Sequence, residues 1–355
     1  MKQQFKNTAF YLVTFLLLTF VGGQTLYAQE VTSEIYNISS LAYSPDGTKI
    51  AVGGGKQDCV GKPVKPGELS NYAIRILETA TGKVLTTLEG HTCSTNSISW
   101  DSSGVYLASG GNDGSIRIWD VTNGSKVSVF GATGSDGEAE PFEGVSWNPV
   151  TSEIAGFQGR AILILDPFTG HLIKQVTDSQ DRHRITAIAW NPDGDLLAAA
   201  TLSNTIKIWN VATDNLDEPS LSFGTTTVTS ILWSPDGSRI LTGGEDGTLN
   251  IFDATSGEIL VSLSGHTQPI PSIAWSKDGS RIASASWDAT VRVWDVNTGY
   301  QINLFTNTLP IIAIDWSPDN LNLAYGGTGS RSVTIVKSSQ YLTELTPSPN
   351  VTIEP

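Results

Sequence analysis

Apolar and polar residues alternate along most of this chain in short runs that are separated by turn-forming residues. The clearest example is GHTQPIPSIAWSKDGSRIASASWDATVRVWD, from Gly265 to Asp295. Its two alternating runs are rich in Val, Ile and Trp and flank a polar Lys-Asp-Gly turn, which predicts paired β-strands joined by a tight hairpin. The pattern returns from Gly90 to Asp120, as GHTCSTNSISWDSSGVYLASGGNDGSIRIWD. Both copies place His, Ser, Asp and Trp in the same register.

Weaker copies of this pattern fill most of the remaining chain. An aromatic residue ends the predicted first strand of each copy, and a polar turn such as SPDG or NPDG usually follows. These aromatic residues are Tyr43, Trp100, Trp147, Trp190, Trp233, Trp275 and Trp316. Most are spaced by about 40–45 residues, the period of four-stranded propeller blades. The chain resembles the WD40-repeat family, and seven copies imply an all-β, seven-bladed β-propeller of four-stranded antiparallel blades.

The resemblance implies a structural role for four residues in each of the two complete copies. In this family they form a buried chain of hydrogen bonds, which satisfies groups that burial would otherwise leave unpaired. The residues at these positions are His91, Ser109, Asp113, Trp119, His266, Ser284, Asp288 and Trp294. Ser, His and Asp also form hydrolase triads, but a serine inside a strand lacks the access to substrate that a nucleophile needs. We therefore expect no catalytic residue.

The resemblance also places a binding surface on the face that bears the loops between blades and between second and third strands. Three positions per blade point there: two in the run after the His position and one directly before the Asp position. The candidate partner-binding residues are Trp287, Arg184, Leu202, Glu245, Pro269, Pro271 and Asn112. Exposed aromatic residues and Arg dominate many interfaces, and Trp287 occupies a turn. We expect Trp287, Leu202 and Arg184 to form one mixed apolar and charged patch.

The N-terminal segment has a different pattern. Lys2 and Lys6 precede an apolar run from Ala9 to Val21, and the segment ends at Ala28. This pattern predicts a secretory signal peptide over residues 1–28, because the apolar run is shorter than the roughly 20 residues of a membrane span. The prediction is a secreted or periplasmic protein that is not inserted in a membrane after signal removal. An uncleaved N-terminal membrane anchor is the alternative.

The remaining domain boundaries follow from the repeats. We expect the propeller over residues 29–346 and a disordered, proline-containing tail over residues 347–355. Members of this family usually complete the last blade with an outer strand from the N-terminal part of the chain. Val31–Ile35 suits this role, and Tyr341–Thr346 is the alternative.

Two cysteines, Cys59 and Cys93, occur in the chain. In the propeller register, the loops that carry them emerge on the same face, so a bridge between them is sterically reasonable. In an exported protein we expect this disulfide to form. Two unrelated thiols are the alternative, and the separation of the Cα atoms decides between them.

Charge and composition restrict the classes of ligand. The formal net charge is −14, with 35 acidic and 21 basic residues, and no basic run occurs. Nucleic-acid affinity depends on neutralising phosphates with Lys and Arg, so we expect no nucleic-acid partner. Two of the four histidines belong to the predicted hydrogen-bond chains, which leaves no zinc cluster. The sequence also lacks a Gly-rich phosphate loop opening a helix, so no cofactor is expected.

These patterns predict a non-catalytic scaffold that binds a protein or peptide outside the cytoplasm. A rigid ring with variable loops suits this role. A carbohydrate- or small-ligand-binding propeller is the alternative, since an exposed Trp also stacks on sugars. An enzyme is less favoured, because Glu143 is the single carboxylate among the residues at which the inner strands begin. These residues are Ser39, Asn96, Glu143, Thr186, Thr229, Pro271 and Ile312. Partner identity and oligomeric state do not follow from a fold.

Overall fold

The described residues form a closed ring of antiparallel sheets. The computed structural model describes residues 14–19, 25–33, 35, 37–55, 72–131, 140–177, 183–211, 213, 215–222 and 226–337. Their strands form seven sheets, and the innermost strands of consecutive sheets contact one another around a central channel. Each sheet is one blade. The predicted all-β, seven-bladed propeller of four-stranded antiparallel blades is confirmed.

The innermost strand of each blade lines the channel and ends at the repeated aromatic residue. A polar side chain then organises the hairpin that follows. In blade 5, for example, the hydroxyl of Ser234 accepts the backbone N–H of Arg239 at 3.0 Å. The inner strands of blades 1 to 7 are β3 (Ile38–Tyr43), β7 (Thr95–Trp100), β11 (Gly144–Trp147), β15 (Ile185–Trp190), β19 (Val228–Trp233), β23 (Ser272–Trp275) and β27 (Ile311–Trp316).

The second and third strands form the buried middle of each blade. Neighbouring blades cover both faces of these strands, so they consist largely of small and β-branched residues. The second strands are β4 (Lys49–Gly54), β8 (Tyr106–Gly111), β12 (Ile154–Gln158), β16 (Leu196–Thr201), β20 (Arg239–Gly244), β24 (Arg281–Ala285) and β28 (Asn322–Gly327). The third strands are β5 (Ile74–Glu78), β9 (Ile116–Asp120), β13 (Ala161–Leu165), β17 (Thr205–Asn210), β21 (Leu249–Asp253), β25 (Thr290–Asp295) and β29 (Ser332–Lys337).

The outer strands lie on the circumference of the ring and carry many of its exposed side chains. In blades 1 to 6 the outer strand directly follows the third strand in sequence. These outer strands are β6 (Val84–Leu88), β10 (Ser125–Phe130), β14 (Leu172–Val176), β18 (Asn215–Ser222), β22 (Ile259–Leu263) and β26 (Gln301–Thr306).

The outer strand of blade 7 comes from the N-terminal part of the chain. It is β2 (Thr25–Thr32), which pairs antiparallel with β29 from Ala28 opposite Val336 to Thr32 opposite Ser332. A further strand, β1 (Thr14–Thr19), pairs with the other edge of β2. The ring is therefore closed by a strand from the N-terminal part of the chain, the first of the two alternatives given by the sequence analysis.

The closing strand differs in position from the predicted Val31–Ile35. It ends at Thr32, and Ser33 still contacts the neighbouring chain segment: both its backbone N–H and its hydroxyl donate to the carbonyl of Arg331, at 2.7 and 2.9 Å. Ile35 is instead buried in the core between blades 7 and 1. The alternative strand, Tyr341–Thr346, lies outside the described residues.

The predicted domain boundaries stay predictions. The boundary after Ala28 falls within β2, so four residues of the pairing segment lie beyond it. Residues 1–13 and 20–24 of the predicted signal peptide lie outside the described residues, as do residues 338–355, which include the predicted tail.

A pair of truncations tests the closing strand. Removal of residues 1–28 is expected to keep the ring closed, because Gln29 to Thr32 still pair with β29. Removal of residues 1–34 also takes away Val31, which is buried in the core, and exposes the edge of β29. We expect the longer truncation to lower the free energy of unfolding by at least about 3 kcal/mol. Equal denaturant midpoints for the two truncated proteins would contradict this closure.

Candidate functional site

In blade 6, the four residues of the predicted chain lie within hydrogen-bond distance of one another. Trp294 Nε1 lies 3.0 Å from Ser284 Oγ, which lies 2.8 Å from His266 Nε2. His266 Nδ1 in turn lies 2.9 Å from Asp288 Oδ2. An indole only donates and an ionised carboxylate only accepts, which fixes the direction of the chain. The indole therefore donates to the serine, the serine hydroxyl to His266 Nε2, and His266 Nδ1–H to the carboxylate.

Blade 2 contains the same arrangement. Trp119 Nε1 lies 2.8 Å from Ser109 Oγ, and Ser109 Oγ lies 2.7 Å from His91 Nε2. The distance from His91 Nδ1 to Asp113 Oδ2 is 2.9 Å. Arg117, four residues after Asp113, forms an ion pair of 3.5 Å with the same carboxylate. The structure thus brings together all four predicted residues in both complete repeats.

Electrostatics favour a neutral histidine beside a charged aspartate in blade 6. Burial lowers the pKa of His266, and the opposing effect of Asp288 does not reverse this. Burial raises the pKa of Asp288, but the hydrogen bonds from His266 and Thr290 outweigh it and hold the pKa well below its usual range. The pKa of Asp113 in blade 2 is likewise lowered, because the hydrogen bonds that it accepts outweigh the effect of burial.

The geometry does not support nucleophilic chemistry at these serines. Ser109 and Ser284 are fully buried. Each hydroxyl accepts from an indole and lies against an imidazole, so no space remains for a substrate carbonyl or an oxyanion site. In blades 2 and 6, these hydrogen-bond chains hold the second and third strands to the loop that enters the blade.

A repeated backbone hydrogen bond organises the face on which the predicted binding residues lie. In each case a residue one or two positions after the second strand donates its N–H to a carbonyl in the loop that enters the same blade. The donor and acceptor pairs are Gly55–Asn37, Asn112–Ser94, Leu202–Arg184, Glu245–Thr227, Trp287–Pro269 and Thr328–Pro310. Because both loop types are joined here, the candidate positions of a blade lie side by side. We call this surface the loop face.

Three of the predicted residues are well exposed on the loop face. Trp287 has 52% of its surface exposed, Leu202 has 46%, and Glu245 is also exposed. Pro269, whose carbonyl accepts the N–H of Trp287, and Pro271, which lines the central channel, are half-buried. Trp287 is the one described Trp that is not buried, which makes it a candidate contact residue.

Arg184 lies beside Leu202 on the loop face, but its guanidinium is paired with two carboxylates. Its guanidinium forms an ion pair of 3.3 Å with Glu140 and a second, shorter one with Glu143. The hydrogen bond and charge of Glu143 raise the pKa of Arg184 further. The side chain is thus directed toward blade 3, across the blade boundary. Sequence spacing could not show this, because Glu140 and Glu143 belong to a different repeat.

Asn112 is engaged within its own blade. Its side-chain amide donates to Ser94 Oγ at 2.8 Å, and its carbonyl oxygen accepts from Asn96 Nδ2 at 2.6 Å. Asn112 is half-buried as a result. It offers less contact surface to a partner than Trp287, Leu202 or Glu245.

The central channel opens at the loop face into a cavity of about 290 Å³. All seven residues at which the inner strands were predicted to begin line this cavity, including Glu143. Its walls carry mostly hydroxyl, amide and apolar side chains. Within the part of the chain that the structure describes, no group of three or more His, Cys, Asp or Glu side chains could hold a metal ion.

A second carboxylate, Asp315, lines the opposite end of the channel. Its two oxygens accept the backbone N–H groups of Tyr43 at 2.8 Å and Trp316 at 2.9 Å. Burial raises the pKa of Asp315 to about 7, although both hydrogen bonds oppose the shift. The sequence analysis missed this residue. The available signal was its place directly before the repeated aromatic, where the other six copies carry Ala, Ser or Leu.

Cys93 lies in the loop that enters blade 2 and is buried beside Tyr72. No free cysteine occurs among the described residues. The expected partner, Cys59, lies outside the described residues. The bridge between Cys59 and Cys93 therefore stays a prediction.

Sequence comparison identifies WD40 repeats in the chain. A family model described as "WD domain, G-beta repeat" matches residues 82–120, 168–210, 218–253 and 257–295. Each matched segment covers most or all of the outer strand of one blade and the first three strands of the next. A ring built from such units needs an outer strand from elsewhere for its last blade, which β2 supplies.

Curated proteins with similar sequences match about half of this chain. It is 25% identical to WD repeat and HMG-box DNA-binding protein 1 of Xenopus laevis over 50% of its length. It is 30% identical to Protein HIRA of Mus musculus over 49%, and 27% identical to the COMPASS component SWD3 of Saccharomyces cerevisiae over 55%. The matched regions span 15%, 14% and 58% of these relatives, respectively.

A solved structure shows the same fold. The β-propeller domain of Cps50 (Swd1) from Myceliophteria thermophila superposes with a TM-score of 0.72 at 17% sequence identity. The match covers 86% of this chain and 97% of that domain.

The relatives overturn the predicted location. They include a protein named as DNA-binding and another named as a component of COMPASS, and neither is named as a secreted or periplasmic protein. The prediction of a secreted or periplasmic protein is therefore wrong. None of the helices in the described ranges is long and apolar enough to cross a membrane. Four segments of this chain thus match the WD40 repeat model, and the described residues form a seven-bladed β-propeller.

Proposed function

We propose that this chain is a non-catalytic scaffold that binds a protein or peptide through the loop face. The observation that carries the proposal is Trp287, an indole that is half-exposed on a turn of a rigid ring. Trp is the residue type most enriched among the energetically dominant contacts of protein interfaces. The other Trp residues described are buried and fill the seams between blades.

The turn that presents Trp287 is held in place before any partner arrives. Its N–H donates to the carbonyl of Pro269 at 3.1 Å, and the N–H of Ala289 closes the turn on Ser286 at 3.2 Å. The loop into blade 7 adds two further bonds, from Asn307 to Ala289 at 2.7 Å and from Ile311 to Ser286 at 3.1 Å. A contact residue fixed in this way loses little conformational entropy on binding, which favours affinity.

The relatives support a role in an assembly of proteins. One of them is named as a component of COMPASS, and the chain covers 58% of its length. Another is named as DNA-binding, but the matched part is 15% of that protein. We keep the prediction of a protein partner and no nucleic acid, because a net charge of −14 opposes contact with phosphates.

The proposal excludes catalysis on the basis of the site's chemistry. The serines of the two hydrogen-bond chains are fully buried, and Asp315 is bound to backbone N–H groups of two inner strands. Glu143 is paired with Arg184. Ser109, Ser284, Asp315 and Glu143 are thus engaged in contacts within the ring.

Replacing Trp287 by alanine tests the proposal. A protein partner captured by the wild-type chain is expected to bind the variant at least about tenfold more weakly, because truncating a central aromatic contact costs about 2 kcal/mol or more. Leu321→Ala is the matched control, since Leu321 is 57% exposed on the turn after Trp316, at the opposite face. Affinities are measured by titration calorimetry. Equal losses in both variants, or no loss in Trp287→Ala, would contradict the assignment.

A further inference from the structure

Blade 5 presents two adjacent carboxylates on the loop face, Glu245 and Asp246, and both are exposed. Asp246 occupies the position of Asp288 in blade 6. There, the carboxylate is covered by His266 and lies close to Arg292. Blade 5 has Gly224 and Asn250 at these two positions. The loss of the imidazole and the guanidinium converts a buried structural carboxylate into an exposed charge.

The two carboxylates keep their charge available to a partner. One oxygen of Asp246 accepts the N–H and the hydroxyl of Thr248, at 3.0 and 2.6 Å. The backbone N–H of Glu245 is bonded to Thr227, which fixes the position of the residue without using its side chain. No ion pair with a described basic residue involves Glu245 or Asp246.

Apolar side chains lie on both sides of this acidic pair. Leu202 of blade 4 and Trp287 of blade 6 hold the same position in their blades as Glu245 does in blade 5. The inner strands of these three blades pack side by side around the channel. Leu202 and Trp287 are about half-exposed, so the rim presents an apolar, an acidic and a second apolar site in order.

We propose that this rim binds a segment of a protein partner in which a lysine or arginine lies between two apolar side chains. The proposal rests on the loop face being the binding surface. The apolar side chains contact Leu202 and Trp287, and the cation pairs with Glu245 and Asp246. The acidic protein also attracts a basic segment over long range, which raises the rate of association.

Three synthetic peptides test this chemistry. Each has two leucines that flank a central residue in a Gly-Ser background, and the central residue is lysine, methionine or glutamate. Affinities are measured by fluorescence anisotropy for the wild-type chain, for Glu245→Lys and for Glu258→Lys. Glu258 is an exposed carboxylate at the other face of the same blade, so its reversal changes the net charge equally.

We expect the wild-type chain to prefer the lysine peptide over the glutamate peptide by at least about tenfold. Glu245→Lys is expected to abolish this preference, because the introduced lysine neutralises Asp246, whereas Glu258→Lys leaves it unchanged. Equal binding of all three peptides, lost in Trp287→Ala, would overturn the acidic site and leave the loop face as the binding surface. If the wild-type chain bound none of the peptides, the inference would be overturned. The proposed function would still stand if a protein partner bound the chain in a Trp287-dependent way.

Discussion

Replacing His266 by alanine is expected to lower the free energy of unfolding by about 3 kcal/mol. The substitution leaves a cavity and removes the donor that faces the carboxylate of Asp288 and the acceptor that faces the hydroxyl of Ser284. The carboxylate of Asp288 and the hydroxyl of Ser284 are largely shielded from water, so water does not fully replace the hydrogen bonds that they lose. The measurement is the denaturant-unfolding midpoint of the variant against wild type.

The matched control for this substitution is His171→Ala. His171 is exposed at the turn before β14, so its removal is expected to change the free energy of unfolding by less than about 0.5 kcal/mol. Ser284→Ala is expected to resemble His266→Ala, because it breaks the same chain at its centre. If His266→Ala and His171→Ala unfolded at the same denaturant concentration, the hydrogen-bond chain would contribute nothing to the stability of blade 6.

The free energy of unfolding of Asp315→Asn is expected to increase relative to that of wild type as the pH rises. The pKa of Asp315 lies at about 7 in the folded chain against an ordinary value of 3.8. The folded state therefore holds a proton that the unfolded state releases, and this group's contribution to stability is lost as pH rises through 7. Asparagine keeps an acceptor for the N–H of Tyr43 and does not titrate.

Between pH 5 and pH 8, the stability of Asp315→Asn minus that of wild type is expected to increase by about 3 kcal/mol. Subtraction of the wild type removes the contributions of other groups, including Asp113 and Asp288, whose pKa values are shifted in the opposite direction. Glu258→Gln, at an exposed carboxylate, serves as the control. A difference that does not change between the two pH values would show that Asp315 is not desolvated.

The repeats carried enough information to predict the ring. The recurring aromatic residues, the polar turns and the two His-Ser-Asp-Trp sets specify strands that must pair within blades and pack between them. They also specify which side chains satisfy one another, since His91 and His266 each lie between a serine and an aspartate. Local pattern and overall fold agree in these segments, which makes such a prediction possible.

Contacts between blades could not be predicted in the same way. Arg184 pairs with Glu140 and Glu143 of the preceding repeat, and Asp315 accepts from Tyr43 across the junction of the last and first blades. Such contacts depend on how far each loop bends and on which rotamer packs best. The spacing of residues along one repeat does not determine the bend of a loop or the rotamer of a side chain.

The N-terminal apolar run shows a different limit of sequence patterns. A short continuous apolar run does not distinguish a helix from a strand or from a targeting segment by its periodicity. Part of this run, TFLLLT, is strand β1 in the structure, paired with β2. The pattern of two lysines before this run led to a predicted location that the relatives contradict.

The central claim is that partners bind at the loop face, and a hydrogen-exchange footprint of a captured protein partner tests it most directly. Binding is expected to slow amide exchange in the segments that carry Leu202, Glu245 and Trp287, and to leave the turns at the opposite face, such as the one with Leu321, unchanged. Protection confined to those opposite turns or to the outer strands, with residues 286–289 exchanging as in the free chain, would contradict the account.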